Sequence, residues 1–544
     1  MTRTNGSQYS NISEMEAPPR DRPFGAAWST SSDSLLSSTG SGDALLQSSS
    51  SSRSRINDED VRVCQREREA NFSQACKLYP AAIAWSTFMS LGAVIVSFHS
   101  EILEHLYSMP TFRQDFGFSS EDGYIISPAW ETRLSIGSWV TQAAGALMVA
   151  YSMDKFGRKR TFGACVALFS AVVGIQFFCR SLKVLLGVVL LGGLILGCYP
   201  VLALAYASEV CPPVLRGAVT GSINLCFVIG QLLGSCVCAA TAGLTEHWAY
   251  SIPIAVLWIC CLAIAIGVFW LPESPWWLAQ EERTEEAHTA LCQLSSERVD
   301  SDQQLEHISK TIEGERELQT CAESTFWACF QGVNLRRTEI SIGVYCTRML
   351  SDARWIRAGG NAGFGRGIRF SAIGFLGTAL SLWLMANVGR RTIHNRGLIC
   401  LTILHLTTGT LCYFFKDTWA PPSFIFAWDF LFNASSGTAG LTIVSEASAM
   451  HLRSKSIAIA TATQHGLSCV LALALPYVIK TGQDTVRGVH GLVFGGLTAT
   501  CLVWGYFKVP EFKGWDYNQL NGFFSNGVPT RKFGVYPSTV EAAP

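Results

Sequence analysis

The sequence predicts an all-α polytopic membrane protein made of two similar halves, and three observations carry that prediction. Of its 544 residues only 15% are charged, against roughly 25% in a soluble domain, while 49% are apolar and the mean hydropathy is +0.26. From Tyr79 onward, apolar blocks of a length that crosses a hydrocarbon core as a helix recur along the chain. Motifs of the first half then return, in order, in the second. The 41 basic residues balance 41 acidic ones, which argues against a nucleic-acid partner. The 19 cysteines are scattered, mostly in apolar runs, and read as small hydrophobes rather than a disulfide scaffold.

In chain order, residues 1–77 are polar and Ser-rich from Ser29 to Ser54, and read as a disordered cytoplasmic tail with no secretory signal. A first transmembrane half follows at 78–271, with spans expected near 79–100, 133–153, 162–180, 184–206, 218–243 and 251–271. Residues 272–339 form a hydrophilic cytoplasmic linker with helical pieces. The second half, 340–507, holds spans near 370–388, 397–415, 424–445, 456–479 and 488–507, and 508–544 is a cytoplasmic tail.

Three motif pairs define the repeat. Gly157-Arg158-Lys159 returns as Gly389-Arg390-Arg391, 232 positions on; Ser208-Glu209 with Arg216 returns as Ser445-Glu446 with Arg453, 237 on; Pro272-Glu273 returns as Pro510-Glu511, 238 on. Order and spacing both repeat, which is the sign of two parallel halves. Lys155, Arg158, Lys159, Arg160, Arg390, Arg391, Arg396, Arg453 and Lys455 gather in alternate loops, which places those loops in the cytoplasm. By parity, these loops share one side only if twelve spans exist, whereas eleven are evident.

These motifs resemble the major facilitator superfamily and, within it, the sugar porters. The loop signature is similar to Ala150 to Lys159, with Ala in place of the first Gly; two further signatures match Pro272-Glu273-Ser274-Pro275-Trp276-Trp277-Leu278 and Pro510-Glu511-Phe512-Lys513-Gly514. Tyr206 to Pro212, the Trp-Trp after Pro275 and Val528 to Phe533 look most like fungal maltose and α-glucoside permeases. The resemblance implies a major facilitator fold of two six-helix halves that moves an α-glucoside or related sugar by alternating access. It implies no enzyme activity, cofactor or metal; the partners are a small-molecule substrate, protons and the lipid bilayer, and the chain is expected to act as a monomer in the plasma membrane with both termini cytoplasmic.

The site expectations follow. Amides suit sugar hydroxyls because they both donate and accept without the desolvation cost of a charge. Gln231 matches the family's sugar-binding Gln, Asn224 lies seven residues earlier on the same helix face, and Gln464 matches a polar contact of the second half. Asp154, Arg158, Glu209, Arg216, Arg390, Glu446 and Arg453 are expected to latch a cytoplasmic gate, with Glu209/Arg216 and Glu446/Arg453 as repeated charge pairs. Charge pairs at a partly dehydrated boundary act as breakable latches.

Several positions depart from the family. Its proton-coupling Asp on the first span is replaced by His99, so the candidates become His99, Glu101 and the basic Lys183 on the fourth span. The aromatic that stacks on sugar falls at Leu441, and the neighbouring Pro is Thr438. The seventh helix reads as defective. The apolar run Ile340 to Met349 gives way to Arg354, Arg357, Arg366 and Arg369, each costly at mid-bilayer, so residues 341–371 read as a mis-joined exon or shifted reading frame, with a re-entrant segment lining a cavity as the alternative. Three other readings stay open: a porter recruited to a specialised metabolite, a transport-impaired porter, and a sugar sensor.

Overall fold

The computed structural model describes residues 72–120, 123–318, 325–352, 364–414, 420–479, 485–515 and 517–533. The Ser-rich segment up to residue 71 and the Arg/Gly-rich residues 353–363 lie outside them. Except for one short hairpin, β1 (Phe118–Ser120) with β2 (Gly123–Ile125), the regular elements are helices.

The first half opens with α1 (Phe72–Leu78), in the last residues of the segment read as a tail, and α2 (Pro80–Leu106); α3 (Pro110–Phe116) leads into the hairpin. Then come α4 (Pro128–Phe156), α5 (Arg158–Phe177), α6 (Leu182–Leu196), α7 (Cys198–Val210), α8 (Pro213–Thr241) and α9 (Trp248–Gly267). Proline stands at the first turn of α2, α3, α4 and α8, where its missing N–H removes no helical hydrogen bond. Gly157, at φ 86°, makes the sharp turn between α4 and α5. The connection between halves carries α10 (Pro275–Gln280), α11 (Thr284–Leu294) and α12 (Ser301–Leu318).

The second half comprises α13 (Gly332–Leu350), α14 (Phe364–Asn387), α15 (Arg390–Phe414), α16 (Ala420–Ala434), α17 (Ser436–Ala447), α18 (Arg453–Ile479) and α19 (Thr485–Lys508), followed by α20 (Tyr517–Ser525). Each predicted span overlaps a helix or a helix pair. The fourth span is α6 with α7, broken at Gly197; the tenth is α16 with α17, broken at Ser435, 238 positions later and on the period of the sequence repeat. Helix α13 occupies the seventh position. Its 19 residues reach about 28 Å at 1.5 Å per residue, close to the thickness of a hydrocarbon core. Among the described residues, seven segments are long and apolar enough to cross a membrane by composition alone, and α13 is not one of them, since it carries Arg336, Arg337, Glu339 and Arg348.

The two halves meet along a seam formed chiefly by α8 against α14 and α17, and by α18 against α4 and α7. One buried apolar cluster runs through this seam from α2 to the segment around Phe533.

Candidate functional site

At one end of the seam lies a charged face built twice from the repeat. In the first half, Arg158 Nη2 donates to Glu209 Oε1 at 2.8 Å, and Ser274 Oγ donates to Glu209 Oε2 at 2.6 Å. Glu273 sits over the start of α5 and accepts the backbone N–H groups of Arg158 and Lys159 at 2.8 and 3.1 Å. A helix start is where such N–H groups lack intrahelical partners, so a carboxylate there serves as the cap. Burial pushes the Glu273 carboxyl up, and the N–H donors and Arg158 pull it back down. In the second half, Arg390 Nη2 lies 3.2 Å from Glu446 Oε1, and Arg390 N–H donates to Glu511 at 2.8 Å.

The expected pairs Glu209/Arg216 and Glu446/Arg453 are therefore not the ones formed. Arg216 and Arg453 sit in the first turns of α8 and α18 and stack on Tyr517, while the arginines that start α5 and α15, Arg158 and Arg390, reach the two glutamates. Arg216 stacks over the Tyr517 ring at 3.8 Å, and Arg453 over the same ring at 4.3 Å. The Tyr517 hydroxyl donates to the Ser208 carbonyl at 3.3 Å. One aromatic ring thus sits between the two repeat-related arginines, and it is 4% exposed, so both contacts are shielded from water.

Asp154 links the halves directly. It pairs with Lys455 Nζ and accepts from Ser454 Oγ at 2.8 Å. Thr220 donates to Thr442 at 3.1 Å one turn deeper. A side chain at Gly217 would displace the Arg390 guanidinium, which lies against α8 here. In this state the charged end of the seam is closed.

Deeper in the seam, Asn224 is buried among residues of the other half. Its Nδ2 lies within hydrogen-bond distance of Asn433 Oδ1 (3.0 Å), Thr378 Oγ1 (3.2 Å) and Thr438 Oγ1 (3.3 Å), and its Oδ1 accepts from Arg348 Nη2 at 3.0 Å. Gln231, on the same face of α8, and Gln464 on α18 are half-buried, and their side-chain amides make no hydrogen bond among the described residues. Thr438 and the fully buried Leu441 occupy the positions where the resemblance expects Pro and an aromatic.

The coupling candidates are scattered. His99 is buried on α2, with Nε2 3.2 Å from Gln176 Oε1 and its ring edge-on to Phe169. Glu101 accepts from Ser235 at 2.8 Å and lies 3.3 Å from His105. Lys183 is exposed at the start of α6, so Gln176 and not Lys183 is the neighbour of His99. Helical geometry explains this: a residue in the first turn of a membrane helix snorkels outward, whereas His99 lies mid-helix.

Reading the sequence missed Tyr517, Glu273 and Glu511 as functional side chains. The two glutamates were visible as a repeated Pro-Glu; nothing in the pattern around Tyr517 marks it.

The comparisons with known proteins agree with this architecture. The family described as sugar (and other) transporters matches residues 85–524. The chain belongs to the sugar transporter family. Like its relatives, this family member is a multi-pass membrane transporter and not an enzyme. Over 498 residues it is 29% identical to the general alpha-glucoside permease of Saccharomyces cerevisiae, covering 88% of this chain and 80% of the relative. Against the yeast maltose permease MAL31 it is 28% identical over 494 residues, covering 86% and 80%. The proton:xylose symporter XylE bound to 6-bromo-6-deoxy-D-glucose superposes with a TM-score of 0.70 at 17% identity, over 82% of this chain and 99% of that one. The human organic anion transporter MFSD10 gives 0.55 at 13%, over 77% and 98%. These two likenesses establish the fold.

Proposed function

We propose that the transporter moves an α-glucoside of the maltose type across the plasma membrane by alternating access, with the charged face and both termini cytoplasmic. The observation that carries the substrate class is the similarity, along 88% of the chain, to a permease named for alpha-glucosides. The geometry supports the mechanism: the halves are joined by discrete polar links that can break singly, and two unengaged amides, Gln231 and Gln464, stand ready for hydroxyl groups on opposite halves. In this reading the Asp154–Lys455 pair and the Tyr517 ring hold the inner gate while the site faces outward.

Uptake of radiolabelled maltose by a host without α-glucoside carriers of its own tests the proposal. The full chain is expected to give saturable uptake that unlabelled maltose competes. Gln231→Ala should raise KM about tenfold, the loss of roughly one hydrogen bond at 1.4 kcal/mol per decade. Absence of uptake at full membrane expression, or a KM insensitive to Gln231, would remove the reading.

A further inference from the structure

The last turn of α19 is aromatic, exposed and set among arginines. Tyr506 and Phe507 are 48% and 57% exposed. Exposed aromatic side chains at the end of a membrane span lie at the level of the lipid headgroups. Two guanidiniums share the Tyr506 ring: Arg391 of α15 is 5.9 Å from its centroid and Arg531 is 4.4 Å from it, with Arg531 also 5.1 Å from the Phe507 ring. Arg391 Nη2 further donates to the Tyr506 carbonyl at 2.9 Å, one of the last carbonyls of α19, where no helical partner follows.

Arg531 is carried to this ring by an anchored turn. After α20 the chain folds back through Val528 to Phe533, and Arg336 holds it there, donating from Nη1 to the Val528 carbonyl and from Nη2 to Thr530 Oγ1, both at 2.9 Å. Phe533 is fully buried against Phe523 and Phe524. The carboxylates of this corner are engaged elsewhere. Glu511 accepts the backbone N–H groups of Arg390 and Phe512, and Glu339 lies 2.8 Å from Lys508 Nζ. Among the described residues neither Arg391 nor Arg531 pairs with a carboxylate. Two like charges beside one ring repel each other, and an anion between them would remove that cost.

The repeat supplies a contrast within the molecule. Lys159 stands 232 positions before Arg391, and its Nζ donates at 3.0 Å to the carbonyl of Phe269, which stands 237 positions before Tyr506. Phe269 and Trp270 are exposed as Tyr506 and Phe507 are. Each half therefore has a basic cap over an exposed aromatic pair, which is what topology and anchoring ask for. The second half alone adds a cation from the tail, since among the described residues no arginine stacks on Phe269 or Trp270.

We propose that Arg391, Tyr506, Phe507 and Arg531 form a binding site for an anionic phospholipid, with the headgroup phosphate between the two guanidiniums. A guanidinium offers phosphate paired N–H donors, and stacking on a ring leaves those edges free. The acyl chains have apolar surface to follow, because α15 packs along α19 and exposes Ile399 and Ile403, while α19 exposes Val503 one turn before Phe507. Phosphatidylcholine carries the same phosphate, but its ammonium would face the arginines. With the charged face cytoplasmic, as proposed above, the lipid comes from the inner leaflet, where anionic lipids set the surface potential.

The test is native mass spectrometry of the full chain in detergent, titrated with phosphatidylglycerol or phosphatidylcholine of identical acyl chains. The first phosphatidylglycerol should bind about tenfold tighter than phosphatidylcholine, and Arg531→Gln should lower that preference about fivefold. Arg391→Gln, on a different element, should do the same and serves as a second measurement if the tail turn fails to fold in Arg531→Gln. Lys159→Gln, the repeat-related cation, should leave the preference at the wild-type level. Equal binding of the two lipids, or a loss in Lys159→Gln as large as in Arg531→Gln, would overturn the proposal, the latter by showing general attraction to a basic face. Displacement of phosphatidylglycerol by an equal concentration of inorganic phosphate would also overturn it, because the acyl chains would then contribute nothing. The binding measurement needs neither sugar nor transport, so failure of maltose uptake and failure of this site are separate results.

Discussion

Tyr517 is the residue on which most of the gate converges. Its ring receives both repeat-related arginines, and a shielded cation–π contact contributes about 1–2 kcal/mol. When the halves part, the ring can stay with one arginine only, so the sandwich favours the closed gate specifically. Tyr517→Ala should therefore raise the open-gate fraction by about 5–30-fold, while Tyr517→Phe, which keeps the ring and loses the hydroxyl bond to Ser208, should stay near the wild type. Energy transfer between the two halves reads both. A second expectation concerns Glu273, which burial raises above the usual carboxyl range. A carboxyl raised in the folded state adds stability below its unfolded pKa, and that stability is lost as pH rises through the folded value. The stability of Glu273→Gln relative to wild type should then grow from acidic to neutral pH, measured as the difference in Tm across that range.

Among elements, close helix crossings repeat with the same period as the motifs. A side chain at Gly145 on α4 would strike the Leu194 carbonyl of α6, and one at Gly377 on α14 would strike the Phe430 carbonyl of α16. The two glycines are 232 positions apart, and each contact lies just before its helix break, at Gly197 or Ser435. In a membrane, small residues at such crossings let backbones approach where no hydrophobic force drives association. Gly145→Val and Gly377→Val should each lower stability by about 1–3 kcal/mol or more, because the obstacle is backbone rather than a movable side chain. Gly187→Ala on α6, where nothing lies within 4 Å, should be neutral or slightly stabilising. Thermal unfolding in detergent compares the three.

At the scale of the whole molecule, the closed state is a set of separate ties across one seam. Asp154 with Lys455 is partly exposed, 32% on the acid side, so the pair contributes at most about 1 kcal/mol and is weakened by salt. Asp154→Lys should open the gate, and adding Lys455→Asp should restore closure, with the effect shrinking at high ionic strength; a double-mutant cycle on the same energy-transfer signal measures the coupling. Much of this architecture was legible in the chain. The spans follow from apolar runs, and the repeat follows from covalent spacing, so Arg158, Glu209, Arg390 and Glu446 stood out before any coordinates. Their partners did not. Glu209 has two arginines within reach along the chain, and only the turn at Gly157 decides that Arg158 meets it. Asn224 was legible as an amide on the right face, but that it is spent on Arg348 and Asn433 depends on residues 124 and 209 positions away.

By itself the sequence determined the solvent, the helical class and the duplication, because each is written in local composition or in fixed spacing along one strand of chain. Tertiary structure alone decided which arginine faces which glutamate, which ring lies between the halves, and that Asn224 joins Arg348 to Asn433. Those contacts join positions well separated in the chain, from 51 residues for Arg158 with Glu209 to 309 for Tyr517 with Ser208. Their geometry is set by helix packing angles and glycine-permitted approach, quantities that no local pattern of residue types encodes.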